Sequence, residues 1–297
     1  MRNYKIGIMY SGISNKNGAD YVADFLANAV ISEGHRLELF GSHGRPQCED
    51  IDKDVDFIIH SSGFGLTPEL IEKFKKKTKV FLWTHNDEMP SWNKKIGGIS
   101  DLVDKHFTYT KQQKYKNAVY LPLAADETIY NRLNIKDKQY DVCMVGAFRE
   151  WRYRFLKRMQ REFPKSFFNL NMKMSSSLVN HLYNNTKVVL APIQDCDMDV
   201  PGAVWGCPCR TFDVPASGAF QLNVSRGGLS DVYPNAITID PVEHIGMASK
   251  KWREEIKYWI NNDKDREEKA NELYELTIEK HLYKHRLREM IEHFENL

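Results

Sequence analysis

The feature that most constrains this chain is a buried strand, a loop, a helix and a second strand in succession near the amino terminus. Residues 4–10 have the apolar character of a strand, residues 19–32 carry apolar side chains at helical spacing, and residues 35–40 form the next strand. A strand that returns through a helix to the same sheet lies parallel to the first, with a right-handed crossover. The chain is therefore predicted to belong to the α/β class.

The pattern continues along the chain and then restarts. Four further strands complete the first predicted sheet, at residues 56–60, 79–84, 107–110 and 118–121. A buried strand at Tyr140–Val145 then opens a second α/β unit.

The restart predicts two domains, and 297 residues are enough for two domains of ordinary size. We expect an amino-terminal domain at 1–125, a polar linker at 126–139 and a second domain at 140–262. The charged, almost continuously helical tail at 263–297 is expected to pack back across both domains.

Composition limits the classes of protein to which the chain can belong. Apolar residues make up 42% and charged residues 28%, which is typical of a globular protein, and a net charge of +2 provides no global field for nucleic acid. The five cysteines include no C-x-x-C pair, so reduced thiols in a cytoplasm are expected. No signal peptide and no apolar run of roughly eighteen residues is present, so no membrane span is expected. The sequence leaves the oligomeric state open between a monomer and a homodimer.

Polar residues and glycines follow the strands of the first predicted sheet. Ligands of open α/β sheets bind beyond the carboxyl ends of the strands, where His85 and Asp87 follow the strand at 79–84. Histidine can act as acid, base or donor near neutral pH, which makes both residues candidates for catalysis. Gly12, in the loop after the first strand, would let that loop approach a ligand. The alternatives are a polar loop with a capping aspartate and a simple turn glycine.

In the second unit, Gly146 follows a strand directly, and Arg149 and Arg152 lie at the start of the next helix. Free N–H groups, the positive end of the helix dipole and bidentate guanidinium groups together suit a diphosphate. The alternative is a basic helix face for a polyanion, because the positive charges continue to Arg161.

The stretch from Gly206 to Asn223 combines a short predicted helix, a tight turn and a buried strand. Arg210 and Asp213 lie on the helix, and Gly218 forms the turn. These residue types suit the ribose and phosphates of a nucleotide. A purely structural joint with an Arg–Asp surface pair is the alternative.

Three alternate aspartates, Asp195, Asp197 and Asp199, raise the question of a metal site. The EF-hand pattern fails because Val200 and Gly206 stand at its glycine and glutamate positions. The cysteines lack zinc-ligand spacing. No metal is expected, and the aspartates are interpreted as an acidic loop.

The motif Gly206-x-Pro-x-Arg-x-Phe-Asp-x-x-Ala-x-Gly-Ala-Phe-Gln-Leu222 closely resembles the signature of spore-maturation-protein-B-like glycosyltransferases. Leu121–Asp126, Val142–Gly146 and His281–Arg286 resemble other segments of that family. The resemblance implies the GT-B fold, with two Rossmann-like domains whose parallel sheets face each other across a cleft. It further implies metal-independent sugar transfer with retention from a nucleotide-diphosphate donor, for which a UDP-sugar is the first choice.

The resemblance also suggests roles for individual residues. Asp213 matches the family residue that holds the donor ribose, and His85 and Asp87 would face the transferred sugar and the acceptor. The remaining donor-binding candidates are Gly12, Gly146, Arg149, Arg152, Arg210, Gly218, Gly227 and Gly228, and Arg210 is also a candidate for catalysis.

Two positions depart from the pattern of the broader superfamily. Trp205 stands where a first glutamate is frequent, and aspartate replaces the more usual glutamate at 213. These departures motivate the alternative of a non-catalytic nucleotide-sugar-binding protein. The acceptor stays open among a modified base in DNA, a surface glycan, a small molecule and a protein.

Overall fold

A computed structural model describes residues 2–10, 18–41, 52–85, 96–111, 115–148, 150–170, 174–192, 206–240 and 250–297. The chain divides into two compact units. The first comprises Met1–Ala124 together with Tyr283–Leu297, and the second comprises Ala125–Leu282.

The first unit contains a six-stranded parallel sheet with the order β2-β1-β3-β4-β5-β6. Its strands are β1 (Lys5–Met9), β2 (Arg36–Phe40), β3 (Phe57–His60), β4 (Lys79–Thr84), β5 (Lys105–Thr108) and β6 (Ala118–Tyr120). The strands β1, β3 and β4 are almost wholly buried, as expected when helices cover both faces of a parallel sheet.

Two helices of this unit are α1 (Gly18–Ser32) and α2 (Pro68–Lys75). The start of α2 shows how local sequence sets an element boundary. The Thr67 hydroxyl accepts a hydrogen bond of 3.2 Å from the Leu70 N–H, and Pro68 occupies the first turn. Leu70, Ile71 and Phe74 are then buried on one side of the helix.

The second unit contains a five-stranded parallel sheet with the order β11-β10-β9-β7-β8. Its strands are β7 (Tyr140–Val145), β8 (Ser166–Asn169), β9 (Thr186–Ala191), β10 (Gln221–Val224) and β11 (Thr238–Ile239). Its helices are α3 (Glu150–Glu162), α4 (Ser176–Asn184), α5 (Arg210–Ala216), α6 (Leu229–Val232), α7 (Lys250–Asn261) and α8 (Asp263–Lys280). The core includes Phe155 and Leu156 from α3 and Trp252 from α7.

Residues 126–139 belong by their contacts to the second unit. The Leu133 N–H donates to Asn184 Oδ1 at 2.8 Å, and the Gln139 N–H donates to Asn185 Oδ1 at 2.9 Å. Side-chain amides at the end of α4 therefore hold this polar segment in place.

The last helix, α9 (Tyr283–Glu295), belongs to the first unit. Arg286 Nε donates to the Pro122 carbonyl at 2.7 Å, and the Phe294 ring stacks on Phe57 with centroids 4.7 Å apart. The helical tail is thus divided, because α8 packs on α5 of the second unit while α9 packs on α1 of the first. Across the described ranges, no helix combines the length and the apolar character that a membrane crossing requires.

Candidate functional site: the carboxyl edge of the second sheet

The carboxyl end of β7 brings two arginines to Gly146. Arg210, the first residue of α5, donates from Nη2 to the Val145 carbonyl at 2.5 Å. A Cβ placed on Gly146 would lie 2.6 Å from Arg210 Nη2 and 3.4 Å from Arg152 Nη1. Both guanidinium groups therefore reach the same point, and only glycine leaves room for them there.

Arg152 lies in the first turn of α3 and is 2% exposed. Its Nη1 donates to the Ala147 carbonyl at 2.7 Å, which holds the guanidinium beside the turn that follows β7. Burying one cation next to another costs free energy unless an anion is also present. The edge is therefore suited to an anionic ligand. Arg149 lies outside the described residues.

Asp213 lies one turn after Arg210 on α5 and is 6% exposed. Its Oδ1 is buried and has no hydrogen-bond partner among the residues that the structure describes. Burial raises the pKa of this carboxyl well above its ordinary value; the Arg210 charge lowers the pKa and the Asp126 charge raises it. Buried carboxylate oxygens are normally hydrogen-bonded, so an unpartnered one is typical of a binding or catalytic position.

Two buried tyrosines and a second carboxylate adjoin Asp213. Burial raises the pKa of both Tyr130 and Tyr183, and the Asp213 charge raises each further. Asp126 is also buried, and its Oδ1 accepts hydrogen bonds from the N–H and the hydroxyl of Thr128. Asp126, Tyr130 and Tyr183 are not among the site residues that the sequence predicts. The sequence signal that could have identified this group is Asp126, because it ends the Leu121–Asp126 segment that resembles the family.

The glycines after β10 lie beside the segment that leads into α5. The Gly206 N–H donates to the Gly227 carbonyl at 3.3 Å, and Arg226 Nη1 donates to the Gly206 carbonyl at 3.0 Å. Gly228 precedes α6 with φ at +82°, a conformation that favours glycine. These contacts place the Gly227–Gly228 turn next to the residues that begin α5.

Gly218 lies at the opposite, amino-terminal edge of the second sheet, between the end of α5 and the start of β10. A Cβ at this position would lie 2.4 Å from Arg132 Nε. Its backbone therefore leaves space for an arginine side chain of the same unit. The structure does not bring Gly218 together with Gly146, Arg210 and Asp213.

His85 follows β4 in the first unit, as the sequence predicts, and is 8% exposed. Burial lowers the pKa of the ring, although the hydrogen bond to the Ser61 carbonyl raises it. Since a carbonyl only accepts, the 2.9 Å contact makes Nε2 the protonated nitrogen and leaves Nδ1 as the acceptor. Gly12 and Asp87, the other candidates of this unit, lie outside the described residues.

The described residues include no group of three or more His, Cys, Asp or Glu side chains that could hold a metal ion. Asp195, Asp197 and Asp199 lie outside them, as does Trp205.

Comparison with known proteins gives a family for this chain. The glycosyl transferase-like family matches residues 130–292, more than half of the chain. The chain belongs to this family. The match confirms the prediction that the chain is a glycosyltransferase. The two parallel-sheet α/β units confirm the predicted GT-B fold, which the solved structures described next share. No curated protein sequence matches this glycosyl transferase-like protein.

Solved structures share the fold at low sequence identity. An alpha-glucosyltransferase, solved in complex with UDP and a 13-mer DNA containing an HMU base, is 10% identical with a TM-score of 0.70, over 99% of this chain and 100% of that chain. The glycosyltransferase AviGT4, involved in avilamycin A biosynthesis, is 13% identical with a TM-score of 0.61, over 98% and 97%. HepE of Anabaena, solved with UDP-glucose, is 8% identical with a TM-score of 0.54, over 98% and 100%.

Proposed function

We propose that this protein transfers a sugar from a UDP-sugar to a hydroxyl group on a modified base in DNA, without a metal ion and with retention of configuration. The observation that carries the proposal is the convergence of Arg210 and Arg152 on Gly146, beside the first turn of α3. A diphosphate seated there would meet two guanidinium groups and the positive end of a helix dipole.

The two arginines also explain why no cation would be needed. As the bond between the sugar and the diphosphate breaks, negative charge develops on the leaving oxygen. Fixed, partly desolvated donors stabilise such charge without reorganising at the moment of reaction. Arg210 is held by the Val145 carbonyl and Arg152 by the Ala147 carbonyl, so both are positioned before the donor binds.

Asp213 would accept hydrogen bonds from the ribose hydroxyls. Its buried Oδ1 lacks a partner within the described part of the chain, and Arg210 lies close enough to lower the pKa of the carboxyl. A ribose hydroxyl would supply the hydrogen bond that the buried Oδ1 lacks. The Gly227–Gly228 turn would border the same nucleotide.

Retention places the acceptor on the face of the sugar from which the diphosphate leaves. The bond between the acceptor oxygen and the anomeric carbon forms as the bond to the diphosphate breaks, and the acceptor proton passes to the leaving diphosphate oxygen. His85, neutral and with Nδ1 as its acceptor, would receive a hydrogen bond from a sugar or acceptor hydroxyl. Support for this stereochemistry is the name alpha-glucosyltransferase, since transfer from an α-linked nucleotide sugar to an α-glycoside is retaining.

Support for the donor and the acceptor is chemical and comparative. The alpha-glucosyltransferase of the same fold was solved with UDP and DNA, and HepE was solved with UDP-glucose. A donor made in the cytoplasm and an acceptor in DNA would place the reaction in the cytoplasm.

The test is transfer of labelled glucose from UDP-glucose to hydroxymethylated DNA in the presence of EDTA. Replacing Arg210 by alanine is expected to lower kcat/KM by about 10²–10³, the usual effect of losing one fixed donor to a developing anion. Arg154→Ala is the matched control, because Arg154 is exposed and pairs with Glu150. Failure of the wild-type protein to bind UDP or UDP-glucose would overturn the proposal, and tight binding with no turnover on any acceptor would favour a non-catalytic binding protein.

A further inference from the structure

A groove runs between α3 and β8 on the second unit. Its α3 side is formed by Tyr153, Leu156, Lys157, Gln160 and Arg161, and its strand side by residues 167–170. We call this the α3–β8 groove; it encloses about 640 Å³. Because β8 is the last strand in the order β11-β10-β9-β7-β8, the groove lies along an edge of the sheet.

The rim of the α3–β8 groove is cationic. Lys157 and Arg161 line it, and Arg158 lies on the same helix. Within the described ranges, no carboxylate lies at ion-pair distance from these three side chains. Other cations nearby do have such partners, since Arg154 pairs with Glu150 at 2.8 Å and Lys257 with Glu162 at 2.5 Å. The rim therefore keeps positive charge available for an anionic ligand.

The floor of the groove is apolar and aromatic. Leu156, Phe168 and Leu170 supply apolar surface that is continuous with the core of the unit. At the mouth, Tyr153 is 44% exposed and Phe148 is 43% exposed, with ring centroids 6.0 Å apart. Cations beside exposed aromatic rings are the surface on which unpaired nucleotides bind, with phosphates on the cations and bases stacked on the rings.

One end of the groove reaches the proposed donor site. Asn169, which lines the groove, accepts a hydrogen bond of 3.0 Å from the Gly146 N–H through its carbonyl oxygen. Gly146 is also the point on which Arg210 and Arg152 converge. A polymer lying in the groove would thus lead directly to the place where sugar transfer is proposed.

We propose that the α3–β8 groove binds the unpaired strand of the acceptor DNA next to the base that is modified. Lys157 and Arg161 contact successive phosphates, and Tyr153 stacks on a base. This assignment rests on the proposed function, because it supplies the acceptor for the same donor site. An acidic peptide would pair with the cations, but it would bring no base to stack on Tyr153 and no ring to cover the apolar floor. The combination of cations, an exposed ring and an apolar floor therefore favours nucleic acid.

The experiment measures the affinity of the full-length protein for a fluorescein-labelled, single-stranded DNA carrying a hydroxymethylated cytosine, over a series of salt concentrations. The variants are Lys157→Ala with Arg161→Ala, and Tyr153→Ala alone. Lys136→Ala with Lys264→Ala is the matched control, since it removes the same charge from exposed positions outside the groove.

Losing two phosphate contacts is expected to reduce the slope of log affinity against log salt by about 1.4. Tyr153→Ala is expected to weaken binding about tenfold while leaving that slope unchanged, because stacking is not ionic. In turnover assays, all three groove substitutions should raise KM for DNA and leave UDP affinity and UDP-glucose hydrolysis at wild-type values.

The outcomes separate this inference from the proposed function. Wild-type affinity and salt slope in the groove variants would overturn the groove assignment while leaving the donor site intact. Equal competition by a poly-glutamate peptide, unaffected by Tyr153→Ala, would overturn the choice of nucleic acid. Conversely, if the protein binds DNA through the groove but does not bind UDP, the proposed function is overturned and the assignment of the groove to DNA binding stands.

Discussion

Asp213 is predicted to destabilise the fold while it serves the donor site. The carboxyl is 6% exposed, Oδ1 has no partner among the described residues, and burial raises its pKa well above the ordinary value. Burying the charge of a carboxylate without a full set of hydrogen bonds costs at least about 1–3 kcal/mol, of which the Arg210 charge offsets a part. Asp213→Asn removes this charge with little change of shape, so the variant should gain about 1–3 kcal/mol of stability above neutral pH, where the wild-type carboxyl loses its proton.

The pH dependence follows from the direction of the pKa change. A carboxyl whose pKa is higher in the folded protein than in the unfolded chain binds more protons when folded, so the folded state loses stability as pH rises from about 4 through the folded-state pKa. The asparagine variant lacks this loss. The difference in the free energy of unfolding between the two proteins should therefore be small near pH 4, grow with pH and then level off.

Urea unfolding of the full chain at a series of pH values measures this difference, and an increase of about 1 M in the midpoint corresponds to the predicted range. Asp141→Asn is the control, because Asp141 lies on the same unit but is partly exposed and pairs with Lys187 at 3.3 Å. Isothermal titration with UDP should show weaker binding by Asp213→Asn, as expected where a residue is retained for function at the expense of stability. A variant that is less stable than the wild type at pH 8, or a difference that does not vary with pH, would refute this reasoning.

Two further predictions concern one residue in each unit. Gly146→Ala places a Cβ 2.6 Å from Arg210 Nη2, so it should displace that guanidinium and weaken UDP binding about tenfold in isothermal titration. Gly97→Ala is the control, because a Cβ there meets nothing within 4 Å, and this variant should bind UDP as the wild type does. Burial lowers the pKa of His106 to about 4, so the folded state loses stability as pH falls from about 6.5 towards 4, by about 3 kcal/mol in total. Thermal unfolding should show a shallower acid limb in His106→Gln than in the wild type, and identical limbs would contradict the prediction.

Part of the candidate site was predictable because it depends on positions relative to single strands. A glycine directly after a buried strand lies at the carboxyl edge of a parallel sheet, and an arginine in the first turn of the next helix lies beside it. Gly146 and Arg152 illustrate this, and their proximity is observed. The motif at 206–222 made Arg210 a candidate, whereas its contact with the Val145 carbonyl joins segments far apart in the chain.

Other features depended on contacts that no local pattern contains. Gly218 shares its motif with Asp213, yet the turn places it against Arg132 at the other edge of the sheet. The neighbours of Asp213, namely Asp126, Tyr130 and Tyr183, come from two other segments. Sequence spacing cannot reveal such a group, because its members meet only when helices and strands pack.

By itself, the sequence determined the α/β class, the parallel strands and the caps of helices such as α2, because these depend on hydrophobic periodicity and on side chains within a few residues. Only the tertiary structure decided that α8 packs in the second unit while α9 packs in the first, and that Asp213 is buried beside a second carboxylate. Burial and charge proximity set the pKa of a group and the cost of leaving it unpaired, and both are properties of the packed chain rather than of its local sequence.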